Sequence, residues 1–204
     1  MCGIAGIYGL ENLDDARDRV EKMTAKISHR GPDAEGIYAG KNAILGHRRL
    51  SIIDINPSSN QPFSSLDGRY TMVYNGELYN YRDIKSQLSD HDFRTDSDTE
   101  VVLAAFMKWG MKALQLFNGM FAFAFWDNQE EKLWIGRDRL GIKPLYYANA
   151  AQSVLFASEI RSILASGLVK PKLDDTSLVD YLRYQTVHAP KTMIEGVFML
   201  NPGC

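Results

Sequence analysis

A chain of 204 residues that is 45% hydrophobic and 24% charged has the composition of a soluble globular protein, one domain or one domain plus the start of another. Its net charge of -2 offers no basic footprint for nucleic acid and no polybasic patch for a membrane, and no apolar run approaches the ~20 residues of a membrane span. Cys2 and Cys204 stand at opposite ends and the histidines are scattered, so a disulfide framework and a metal-ligand cluster are both excluded and a reducing, cytoplasmic setting is expected.

In chain order, residues 3–9 form a short apolar run ending in glycine, the pattern of a buried strand. Residues 14–27 carry Ala16, Val20, Met23 and Ile27 at three- and four-residue spacings, as an amphipathic helix requires. No signal peptide is expected before Cys2, and this first helix is charged from Asp14 to Lys22. His29-Arg30-Gly31-Pro32-Asp33 is a tight polar loop. Residues 36–39 and 43–47 flank Gly40-Lys41-Asn42 as in a hairpin, and 50–53 continue extended until Asn56-Pro57. Residues 70–74 are a strand expected to end at Asn75-Gly76-Glu77. Asn80 is positioned to cap a helix reaching about Leu88, and Thr95-Asp96-Ser97-Asp98-Thr99-Glu100 opens another that runs to Trp109. Strict Phe/Ala alternation from Phe121 to Phe125 favours a strand. Residues 133–137, 145–147 and 154–157 add strands, and 159–164 a short helix. Strands in hairpin-like groups point to antiparallel sheets with helices on their faces. From Pro171 the character changes to a linker followed by a helix at 177–184. The expected division is a domain at 1–170, then a linker and the start of a connection to a further domain at 171–204.

The placement of Cys2 directly behind Met1 carries the chemistry. Removal of the methionine leaves a thiol and a free α-amine on one residue, with ordinary pKa values of about 8.5 and about 7.7–8.0. Such a residue is a nucleophile with its own base; the plain alternative is a small apolar residue opening a buried strand. Three loops offer partners. Arg49 presents a planar fork for a carboxylate, or is a solvated surface arginine. Asn75-Gly76 offers an amide NH₂ beside a backbone N–H, two donors suited to an oxyanion, or is a hairpin turn. Asp98 accepts from a ligand ammonium, or caps its helix. The run Gly136-Arg137-Asp138-Arg139-Leu140-Gly141-Ile142-Lys143-Pro144 lacks a phosphate-loop order and is expected to form a structured turn with an internal Arg/Asp pair.

Cys2-Gly3-Ile4-Ala5-Gly6, His29-Arg30-Gly31-Pro32-Asp33, Arg49-Leu50-Ser51-Ile52-Ile53-Asp54, Gln61-Pro62-Phe63, Tyr74-Asn75-Gly76-Glu77-Leu78-Tyr79-Asn80, Ser97-Asp98-Thr99-Glu100, Gly119-Met120-Phe121-Ala122-Phe123-Ala124 and Arg137-Asp138-Arg139-Leu140-Gly141-Ile142-Lys143-Pro144 occur in that order. Together they resemble the class II (N-terminal-nucleophile, Ntn) glutamine amidotransferase domain of glutamine-hydrolysing asparagine synthetases. The resemblance implies an α+β fold, a four-layer αββα sandwich of two antiparallel sheets, with Cys2 at the start of an inner strand. It implies that Cys2 is the nucleophile with its α-amine as base, and that Asn75 and Gly76 form the oxyanion hole. Arg49 would take the α-carboxylate of L-glutamine, Asp98 and Glu77 its α-ammonium, and the backbone of Leu50, Ser51, Ile52 and Ile53 would line the pocket. The implied reaction is hydrolysis of glutamine to glutamate and ammonia, with no cofactor or metal in this part. The family's second domain is an ATP-dependent synthetase, for which ATP and Mg are implied, carrying a Ser-Gly-Gly-Leu-Asp-Ser loop that does not occur here. Aspartate, converted to asparagine, is the expected acceptor by family frequency. Two other readings stay open at this point: a noncatalytic domain docking a synthetase, and an Ntn amidase acting on a different amide. The family pattern allows a homodimer without marking one in the sequence.

Overall fold

Alternation of side chains along the strands sorts them into two sheets that share one core. The structure, a computed structural model, describes residues 1–204. It forms β1 (Gly3–Tyr8), α1 (Leu13–Ala25), β2 (Ala34–Ala39), β3 (Ala43–Arg49), β4 (Phe63–Ser64), β5 (Tyr70–Leu78), α2 (Tyr81–Ser86) and α3 (Asp98–Trp109). There follow α4 (Ala113–Leu116), β6 (Gly119–Asp127), β7 (Lys132–Arg137), β8 (Tyr146–Ala150), β9 (Ser153–Ala157), α5 (Ile160–Ala165), α6 (Asp175–Tyr184) and β10 (Val197–Met199). One sheet has the order β10-β8-β9-β1-β3-β2 and the other β4-β5-β6-β7, with antiparallel pairing throughout.

The Phe/Ala alternation of β6 shows how the layers arise. Phe121, Phe123 and Phe125 point outward and pack with Met72, Tyr74, Val102 and Phe106 under α3. Ala122, Ala124 and Trp126 point inward, where Val73 of the same sheet meets Ile4, Leu45 and Phe156 of the other. On the far face of the six-stranded sheet, Ala5 and Ile7 pack with Val20, Met23 and Ile27 of the α1 region and Ile163 of α5. The small alanines let the sheets approach while the phenylalanines fill the helix side. The result is the four-layer αββα sandwich.

Two local devices place the start of α3. The Ser97 hydroxyl accepts from the Thr99 N–H as its cap. The buried Glu100 carboxylate accepts from the N–H groups of Arg94 and Thr95 and from the Thr95 hydroxyl, tying the preceding loop to the helix. No helix is long and apolar enough to cross a membrane.

The structure departs from the sequence reading in several places. Strand β5 does not stop at Tyr74: its pairing with β6 continues through Leu78 opposite Gly119, so Asn75-Gly76 lies inside a strand and makes no turn. β3 ends at Arg49, and residues 50–53 bend away instead of continuing extended. Arg137 and Asp138 do not pair with each other. The Asp138 carboxylate accepts from the N–H groups of Phe121, Leu140, Ile142 and Lys143, while the Arg137 guanidinium donates to the carbonyls of Gly141, Lys143 and Leu200. Finally, residue 170 marks no break in the fold. After α6, β10 adds to β8 as the edge of the six-stranded sheet, and the Leu200 N–H donates to Leu145 O at 2.8 Å. The hydrogen-bonding edge of β8 draws the segment expected to be a linker back onto the first 170 residues.

Candidate active site

The site sits where the inner faces of the two sheets open to solvent. Leu45 of β3, Ile4 of β1 and Val73 of β5 meet in the inter-sheet core. Two residues further along each strand, on the same faces, stand His47, Cys2 and Asn75. Gly3 pairs with Arg48, which sets Cys2 beside Arg49 at the end of β3. The alternation that builds the core thus delivers polar side chains to its rim.

There Cys2, Arg49, Leu50, Ile52, Ile53, Asn75, Gly76, Glu77 and Asp98 line one cavity of about 160 Å³. That is near the ~150 Å³ known to take a benzene-sized ligand, so the cavity suits a small molecule. Ser51, expected on this wall, is not part of it: its N–H donates to the Asp33 carboxylate at 2.8 Å, outside the cavity. The bend after Arg49 turns both backbone groups of Leu50 toward the nucleophile. The Leu50 N–H donates to Cys2 Sγ at 3.4 Å, and the thiol faces Leu50 O at 3.7 Å. Burial pushes the Cys2 thiol up, and the Leu50 N–H opposes that rise. Behind it, Arg30 donates its Nε–H to Cys2 O at 2.9 Å and Nη1–H to Glu159 at 3.1 Å, fixing the residue from the main-chain side.

The donor edge follows from strand geometry. β4 covers β5 only at Thr71 and Met72, so the outward N–H groups beyond them lack a strand partner. The Tyr74 N–H is taken by the Gln61 side-chain oxygen at 2.6 Å and the Leu78 N–H by the Asp98 carboxylate at 2.9 Å. Between them the Gly76 N–H faces the cavity that Gly76 lines. A Cβ at Gly76 would stand 2.6 Å from the Tyr74 ring and 2.7 Å from Met120 O, so only glycine fits this strand position. Asn75 is buried and its Nδ2 has no protein partner. His47, fully buried, bonds Tyr74 O at 3.2 Å; burial pushes its pKa down to about 3, so it is a neutral strut between the sheets.

Charge is arranged at the cavity's two sides. Asp98 is buried, and burial pushes its carboxyl up to about 6 against the opposing bonds from the Leu78 N–H and the Tyr74 hydroxyl. Arg49 is 7% exposed, so it is not a surface arginine. Its Nη1 donates to Asn56 O at 2.9 Å and Asn60 Oδ1 at 2.6 Å, and its Nη2 to Asp54 O. An arginine has five N–H donors, which leaves the Nε–H and one Nη2–H without a protein acceptor. No three His, Cys, Asp or Glu side chains gather to hold a metal ion.

The sequence model of the Glutamine amidotransferase domain family matches residues 1–204. The chain belongs to that family. This amidotransferase domain is 37% identical over its whole length to asparagine synthetase [glutamine-hydrolyzing] 1 of Bacillus subtilis, of which it covers 33%. It is 42% identical over 93% of its length to the amidase chry2 of Gibberella zeae, covering 28% of that protein. The domain therefore spans about a third of the length of the curated relatives it matches. Among solved structures, it superimposes on the glutamine phosphoribosylpyrophosphate amidotransferase of B. subtilis with a TM-score of 0.70 and 23% identity, covering 81% of this chain and 44% of that one. That likeness bears on the fold, the layered sandwich of two antiparallel sheets.

Several wall residues of the amidotransferase domain stand in the family motifs of the sequence with no role assigned to them there. Gln61 bridges Tyr74 N–H and the Thr99 hydroxyl, the latter at 3.3 Å, and so joins β5 to α3. Tyr74, Ser97, Thr99, Met120 and Lys143 also line the cavity. Each arrives through tertiary packing rather than motif spacing.

Proposed function

We propose that this chain hydrolyses L-glutamine to glutamate and ammonia through a γ-glutamyl thioester on Cys2. The observation that carries the reading is the pair of unclaimed donors beside the thiol, the Gly76 N–H and the Asn75 amide, on a strand edge whose other N–H groups are all engaged. Donors fixed in place before reaction are what a developing oxyanion requires. The Cys2 thiol passes its proton to the α-amine of the same residue and attacks the side-chain carbonyl. Asn75 and Gly76 hold the tetrahedral oxyanion. The protonated amine returns its proton to departing ammonia, and water then releases glutamate. With Met1 attached, the Cys2 nitrogen is an amide and cannot serve as base. Met1 lines the same cavity, so its removal both frees the amine and opens the site.

Substrate orientation follows from the two charged sides. The free donors of Arg49 take the α-carboxylate, Asp98 and Glu77 the α-ammonium, and Leu50, Ile52 and Ile53 the aliphatic stem. The raised pKa of Asp98 marks a carboxylate short of a counter-ion, which an ammonium ligand supplies. A folded pKa of about 6 against an ordinary 3.8 means that ionised Asp98 opposes folding at neutral pH, by roughly 3 kcal/mol. Stability therefore rises as pH falls through about 6, while glutamine affinity drops as the carboxylate protonates. KM is expected to rise below pH 6 in the wild-type domain, whereas in Asp98→Asn it is high and flat across that range. Steady-state kinetics from pH 5 to pH 8 check both profiles.

The relatives' names, and the third of their length that the domain covers, support a reading of the whole activity. We infer an ATP-dependent synthetase domain of the same chain that needs ATP and Mg, receives the ammonia and converts aspartate to asparagine in the cytoplasm. Purified protein lacking Met1, assayed for glutamate release, tests the central step. Wild type is expected to hydrolyse glutamine and Cys2→Ala to show none above background; retained hydrolysis in Cys2→Ala excludes the scheme.

A further inference from the structure

The ladder between β4 and β5 stops short of the cavity, and side chains take over from it. The register that sets Ser64 opposite Thr71 and Phe63 opposite Met72 would, if continued, bring Gln61 opposite Tyr74. The Gln61 backbone packs instead against β2, where its carbonyl fills the space that a Cβ on Gly36 would take. Both outward backbone groups of Tyr74 then need other partners. Its N–H donates to Gln61 Oε1 at 2.6 Å, and its carbonyl meets His47 Nε2 at 3.2 Å.

A side-chain amide carries an acceptor and a donor on one planar group. With its oxygen committed to Tyr74, the Gln61 NH₂ donates to Thr99 Oγ1 at 3.3 Å, in the first turn of α3 and one residue beyond Asp98. Gln61 and Thr99 are both buried, and both line the cavity. The other polar links from β5 to the start of α3 come from the Leu78 N–H at 2.9 Å and the Tyr74 hydroxyl at 3.4 Å. Both end on the Asp98 carboxylate, the group that must also serve the ligand ammonium. Gln61 thus ties the helix to the strand without consuming a substrate-binding group. Resting on the reading of Asn75, Gly76 and Asp98 as substrate contacts, we propose that Gln61 is a positioning residue. It fixes the span between the oxyanion donors on β5 and the ammonium acceptor on α3, and so makes hydrolysis of the amide depend on the α-amine of glutamine.

Hydrolysis of L-glutamine compared with its des-amino analogue, 4-carbamoylbutanoate, by protein freed of Met1 reads that dependence. The analogue keeps the amide and the carboxylate but offers nothing to Asp98. The ratio of the two kcat/KM values does not change with the fraction of a preparation that is folded, so a loss of structure alone leaves it in place. In Gln61→Met, a side chain of similar length without the two hydrogen bonds, the ratio is expected to fall about three- to tenfold, the worth of one or two neutral hydrogen bonds. Thr99→Val is expected to lower it likewise, and the double variant no further than Gln61→Met alone, because the two residues form one link. A ratio unchanged in Gln61→Met overturns the proposal, as do effects of the two substitutions that simply add. Amide hydrogen exchange at Tyr74, followed without substrate, is expected to quicken in Gln61→Met, and protection equal to wild type also overturns it. Wild-type protein that hydrolyses no glutamine fails the glutaminase reading itself, whereas hydrolysis with an unmoved ratio fails only the role of Gln61.

Discussion

Alanine at Asn75 is expected to lower kcat for glutamine hydrolysis by about 10²–10³-fold while leaving KM within a few-fold of wild type. The asymmetry follows from where the amide sits. Its Nδ2 is buried with no protein partner, so the folded domain gains little from it in the ground state. Its interaction strengthens only when the carbonyl oxygen of the substrate acquires charge, so its loss falls on the chemical step. Asn75→Ala is accordingly expected to fold as stably as wild type, as judged by thermal denaturation. A variant that loses binding and stability together with rate would assign Asn75 to packing between the sheets. Gly76 differs: with Tyr74 and Met120 O inside 3 Å of any added Cβ, Gly76→Ala is expected to disturb the strand as well as the rate.

Replacing Arg49 by methionine is expected to raise KM for glutamine at least about hundredfold, because two charge-assisted bonds to the α-carboxylate are each worth about 1.5–3 kcal/mol. The same change frees Asp54 O, Asn56 O and Asn60 Oδ1, so faster amide hydrogen exchange across residues 54–60 should accompany the loss. Arg49→Lys is expected to recover little of either, since an ammonium cannot satisfy three loop acceptors and a carboxylate together. A KM that is unchanged in Arg49→Met would leave the residue as a loop tether alone.

Much of this arrangement is legible in the chain itself. The Phe/Ala alternation at Phe121–Phe125 and the apolar run after Cys2 indicate strands because each has one dominant period, and the structure has strands there. The order of motifs carries the family and, with it, the layered fold. Asn75-Gly76 was illegible as local structure: the dipeptide favours a turn, and only the continued pairing with β6 out to Leu78 and Gly119 holds it extended. That override is also what leaves the Gly76 N–H facing the cavity. Arg137 and Asp138 invite pairing by adjacency, yet each has closer backbone partners once the turn closes. Gln61, Tyr74 and Lys143 reach the cavity from segments whose meeting depends on the packing of two sheets, which no local spacing encodes.

The role of Cys2 is open to direct measurement as a covalent species. Protein freed of Met1, mixed with glutamine, quenched in acid within the first turnover and digested, should yield an N-terminal peptide carrying a γ-glutamyl group on Cys2, released by hydroxylamine. Cys204 should carry none. An unmodified Cys2 at a time when glutamate is already accumulating would contradict the thioester route and with it the assignment of this cavity.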